Sequence, residues 1–69
     1  MNLIKLTGVN AFVKLDDGKT EVVMDCNAKV TAIDDFDTTL YLELEKDDSV
    51  TYIDMDRVVS FTLKKVSTQ

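Results

Sequence analysis

Two short alternating runs near the end of the chain confine it to β structure. In 50–53, Val50 and Tyr52 point one way while Thr51 and Ile53 point the other. In 58–63, Val59, Phe61 and Leu63 share one face and Val58, Ser60 and Thr62 share the opposite one. A side-chain period of two is the signature of a strand. The intervening Asp54-Met55-Asp56-Arg57 is too short for a helix and reads as a turn.

The same alternation runs through the rest of the sequence. Residues 2–7, 11–15 and 20–24 read as strands, with Gly8-Val9-Asn10 as a turn between the first two. Asp16-Asp17-Gly18-Lys19 is the clearest hairpin signal, because Asp-Gly tolerates the positive φ of tight hairpin turns. Asp25-Cys26-Asn27 breaks the pattern as a bulge or bend would, so 20–33 is either one long bent strand or two short ones. Asp34-Asp35-Phe36-Asp37 is a loop, and 38–45 alternates strongly, with Leu40, Leu42 and Leu44 inward and Tyr41, Glu43 and Glu45 outward. Lys46-Asp47-Asp48-Ser49 is a further turn, and the polar end after Val66 is expected to fray. No segment has a helical period. Short strands at such intervals predict an all-β fold, a small, strongly bent antiparallel sheet closing into a barrel, with any N-terminal helix short or absent. The predicted core is Val13, Leu15, Val30, Leu40, Leu42, Leu44, Val59 and Phe61.

A chain of 69 residues makes a single domain, here 1–69, with little buried surface. One cysteine and no histidine leave neither an internal disulfide nor a zinc ligand set, so assembly is the remaining way to gain stability. The lone thiol fits a reducing, cytoplasmic compartment. Residues 1–13 carry Lys5 inside the apolar run and do not read as a signal peptide, and no run has the length of a membrane helix. Thirteen acids against eight bases give a net charge of -5, which argues against broad backbone-driven nucleic-acid binding. Cys26 has no histidine to activate it, and so small a chain offers little cleft to shift a carboxylate, so no enzymatic activity and no cofactor are expected.

Val13-Lys14-Leu15-Asp16-Asp17-Gly18 resembles the opening strand and turn of the first Sm motif of Sm, Sm-like and Hfq proteins. Ala28-Lys29-Val30-Thr31-Ala32-Ile33-Asp34 resembles that motif's glycine, spaced apolar residues and loop aspartate, with Ala28 in the glycine's place. Phe36 sits where Hfq has a loop aromatic, and Ile53, Asp56, Val58 and Phe61 have the second motif's spacing. The resemblance spans 12–63. It implies an Sm-like barrel that assembles as a homo-oligomeric ring and binds single-stranded RNA. Asp34, Phe36, Asp54, Asp56 and Arg57 would then form the RNA site. The uncharged strand 58–63, through Val58, Ser60 and Phe61, would pair as an edge with the neighbour's 38–45, through Leu40, Leu42 and Leu44.

Other readings of the same residues stay open. The loop 34–37 is a solvated turn, a ligand-facing loop with Phe36 as a stacking surface, or a weak site for a hard cation, although the glycine and glutamate of a calcium loop are absent. Arg57 stacks on a base, forks a phosphate, or forms a salt bridge with Asp54 or Asp56 across the turn or across a subunit boundary. Lys64 and Lys65 contact a nucleic-acid backbone or form a solvated strand end. Asp54 and Asp56 present negative charge where the second motif is basic. The alternative function is therefore an acidic protein-interaction module on the same scaffold, docking a basic partner or mimicking nucleic acid.

Overall fold

The computed structural model describes residues 5–32 and 38–66. These form β1 (Lys5–Leu15), β2 (Thr20–Thr31), β3 (Tyr41–Lys46), β4 (Ser49–Asp54), a single 3-10 turn over Met55–Arg57, and β5 (Val58–Lys65). All five strands lie in one antiparallel sheet in the order β4-β3-β2-β1-β5. The all-β expectation holds. Closure into a barrel does not: among the described residues β4 and β5 each pair on one side only.

The sheet is nevertheless curled. Its two outer strands are consecutive in the chain, separated only by Met55–Arg57. Four residues of fully extended chain reach about 14 Å, whereas flat neighbours would place the outer strands about 19 Å apart. The two sides of the sheet must therefore approach each other at the 3-10 turn. Its main chain spans them: the Met55 N–H donates to the Leu40 carbonyl at 3.0 Å, ahead of β3, and the Asp16 N–H donates to the Arg57 carbonyl at 2.8 Å, at the end of β1.

Bulges supply the curvature. Gly8-Val9-Asn10 is not a turn; β1 runs straight through it. Gly8, at φ 61, instead inserts an extra residue opposite β2, between the pairs Leu6–Ala28 and Val9–Cys26. The left-handed φ is one that glycine adopts without Cβ strain. A second bulge lies in β2, where Asp25 has φ 52 and Val9–Cys26 is followed by Ala11–Val23. Thus 20–31 is one bent strand. An asparagine serves each bulge: Asn27 Oδ1 accepts the Gly8 N–H at 3.3 Å and Asn10 Oδ1 accepts the Asp25 N–H at 2.9 Å. The side chains satisfy main-chain donors that the interrupted ladder leaves over.

One face carries the core. Val9, Ala11, Val13 and Leu15 of β1 meet Cys26, Ala28 and Val30 of β2, Leu42 and Leu44 of β3, and Ile53 of β4. Of the predicted core, Val13, Leu15, Val30, Leu42 and Leu44 are buried. Val59 is not, at 62% exposed. Lys14 pairs with Ser60 but Leu15 pairs with Val58, so Val59 is the extra residue of a third irregularity and Val58 turns inward instead. Leu40 precedes β3 and is 37% exposed. Phe61 packs against the core only in part, because β5 is an edge and nothing covers its far side among the described residues.

Candidate binding cleft

A cleft lies between β4 and the β1–β2 hairpin, on the side where the sheet fails to close. Leu15, Glu21, Tyr41, Thr51, Tyr52, Ile53, Asp54 and Arg57 line a volume of about 380 Å³. Four of these are consecutive residues of β4, and strand alternation lets them line both faces of its free edge. Tyr41 and Asp54 are cross-strand partners. The Tyr41 and Tyr52 rings meet edge to face, with centroids 6.4 Å apart and planes at 87°.

A row of side chains crosses the outer face beside Tyr52. Lys29, Glu43 and Tyr52 are successive cross-strand partners on β2, β3 and β4. Lys29 Nζ lies 3.3 Å from Glu43 Oε2, beside Tyr52 on the neighbouring strand. Hydrogen bonding to Glu43, with smaller effects of burial and the Glu43 charge, raises the Tyr52 phenol above its ordinary value.

Arg57 closes one end of the cleft. Its Nε is 3.5 Å from Asp16 Oδ1 and one terminal nitrogen is 3.5 Å from Asp17 Oδ2. The expected partners Asp54 and Asp56 are not the ones it takes. Hairpin closure brings the Asp16-Asp17 turn beneath it instead, with Gly18 at φ 86 allowing that turn. Asp54 caps the 3-10 turn by accepting the Asp56 N–H at 2.8 Å, which holds its carboxylate at the cleft rim.

Of the residues predicted to bind RNA, Asp54 and Arg57 meet at this cleft and Asp56 is exposed beside it. Asp34 and Phe36 lie outside the described residues. Lys64 Nζ sits 5.5 Å from the centre of the Phe12 ring, a cation–π contact at the end of β5. The predicted assembly residues divide. Ser60 is exposed on the β5 edge, while Val58 and Phe61 are partly buried. Leu42 and Leu44 belong to the core, and β3 is hydrogen-bonded on both sides. The outer strand on that side is β4, so the edge role expected of 38–45 falls to Ser49–Asp54. Tyr41, Tyr52 and Glu21 were not among the predicted site residues. The outward phases of Tyr41 and Tyr52 were readable, and registering the 46–49 turn as a hairpin would have brought them together.

Fold and cleft define a small all-β domain built from one curled, open, five-stranded antiparallel sheet. No helix among the described residues is long and apolar enough to cross a membrane. Compared with known proteins, the chain matches no protein family, no curated protein and no solved structure.

Proposed function

We propose that the chain is a non-enzymatic, self-assembling interaction module whose copies pair edge to edge, β4 of one against β5 of the next. The observation that carries this reading is the chemistry of the two edges. Neither 49–53 nor 58–63 contains a charge or a proline, and Val50, Tyr52 and Val59 are exposed along them. Proteins that stay monomeric commonly blunt such edges with lysine, proline or inward-pointing charge. Antiparallel pairing brings Lys64 and Lys65 of one copy beside Asp47 and Asp48 of the other. Because the two edges are different strands, the contact is head-to-tail and closes into a ring when the rotation permits. An Sm-like ring is the closed form of that arrangement.

RNA binding, which the resemblance implies, has weaker support. Arg57 is engaged by two carboxylates, and the cleft beside it carries Glu21 and Asp54. Those charges favour the second reading, an acidic surface that docks a basic partner. Light scattering at micromolar concentration tests the assembly: a discrete oligomer is expected, and a stable monomer sinks it. Ser60→Lys, at an exposed edge position, should dissociate the oligomer while the circular dichroism of the sheet persists. Saturable binding of a labelled single-stranded RNA at physiological salt would move the reading back to nucleic acid.

A further inference from the structure

We infer that the cleft between β4 and the β1–β2 hairpin receives one lysine side chain from a basic protein segment, with the Tyr41 and Tyr52 rings and the Glu21 and Asp54 carboxylates as its recognition groups. This goes beyond the assembly reading; because residues 51–54 of β4 both line the cleft and form the proposed assembly edge, mass is followed beside binding in the test.

The aromatic pair is the first support. An ammonium is attracted to the face of an aromatic ring, and two rings in edge-to-face contact at 87° line this one cleft. Tyr52 already packs against Tyr41 and lies beside the Lys29–Glu43 ion pair before any ligand arrives. A side chain already packed loses less freedom on binding.

Charge is the second. Glu21 and Asp54 are the acids of the lining and Arg57 its one cation. The Arg57 guanidinium is turned to Asp16 and Asp17, outside the lining, so the carboxylates of the cleft are left to an incoming cation. A phosphate would meet repulsion at the same place.

Shape is the third. About 380 Å³ is near the lower end of ligand pockets and suits a single extended side chain. The tyrosine rings offer apolar surface for a methylene stem while the carboxylates meet the charged head, as lysine requires.

The two tyrosines of the chain both line this cleft, and there is no tryptophan, so intrinsic emission reports on the site alone. The full chain is titrated with acetyl-Gly-Lys-Gly-amide and, separately, with the same peptide carrying norleucine in place of lysine. A saturable emission change with the lysine peptide and none with norleucine is expected. Tyr52→Leu, followed through Tyr41, should weaken binding about tenfold. Glu21→Gln and Asp54→Asn should each weaken it severalfold, and asparagine preserves the cap at 54. No saturation, an equal response to norleucine, or unchanged affinity in Glu21→Gln would overturn the inference. Glu21 is exposed at the start of β2, so its variant decides the matter even if Tyr52→Leu does not fold. Mass is followed in the same samples by light scattering. An emission change that merely tracks dissociation also overturns the inference, whereas saturation by the lysine peptide upholds it whatever the mass.

Discussion

The side-chain oxygen of Asn10 accepts the main-chain N–H of Asp25 at 2.9 Å, at the point where β1 and β2 change register. The bulge there turns β2 and moves the inward positions from Val23 to Cys26. Without the bond, the Asp25 amide has only water. Asn10→Ala is expected to cost about 1 kcal/mol, read as a lower midpoint in urea denaturation. Asp25→Val should cost more, because a β-branched residue resists the positive φ that aspartate tolerates. Equal stability of the two variants and the parent would remove the bulge as a determinant of the fold.

Core substitutions should rank by burial rather than by size. Leu42 is fully buried and Leu42→Ala should cost about 2–5 kcal/mol, enough to unfold a small domain. Phe61→Ala should cost less than Leu42→Ala despite the larger side chain, since Phe61 is only partly covered. Chemical denaturation of both variants checks the order, and a reversed ranking would mean that the β5 edge is covered in solution.

The Arg57 clasp on the hairpin turn should contribute little by itself. Its side chain is half exposed and its contacts are 3.5 Å long, the regime in which ion pairs add about 0–1 kcal/mol. Arg57→Ala keeps the main-chain bond to Asp16 and should shift stability only slightly, with the shift shrinking as salt rises. A large, salt-insensitive loss in thermal melts would contradict this.

Alkaline pH should weaken the fold through Tyr52. Its phenol is raised in the folded state by the hydrogen bond to Glu43. A raised folded value means that the contribution is complete below the ordinary phenol value near 10.0 and is lost as pH rises through the higher folded value. Absorbance titration of the phenolate should show a late step that Tyr52→Phe abolishes, and the variant should lose the alkaline part of the stability decline.

Cys26 should be slow to react. It is 2% exposed, burial chiefly raises its thiol above 9.0, and its Sγ donates to the Val23 carbonyl at 3.6 Å. Thiol-reactive probes need the thiolate, so modification should wait on local opening and accelerate sharply in denaturant. Modification of the native protein at the rate of an unfolded control would show that the bulge region opens freely.

Alternation along the chain was enough to determine an all-β fold, the Asp16-Asp17-Gly18-Lys19 hairpin, the break at Asp25 and the inward phase of Val13, Leu15, Val30, Leu42 and Leu44. Each depends on neighbours in sequence: a side-chain period of two, or a residue that accepts a particular φ. Tertiary structure decided what pairs with what. Gly8 and Val59 became bulge residues rather than a turn and a core position, because register is set by the partner strand. Strand order made β4 rather than 38–45 the edge, and curling left the sheet open rather than closed. The cleft is legible only at that level. Tyr41 and Tyr52 reach each other through hairpin register, and Glu21 and Arg57 join them only when the sheet bends far enough to bring its two sides together.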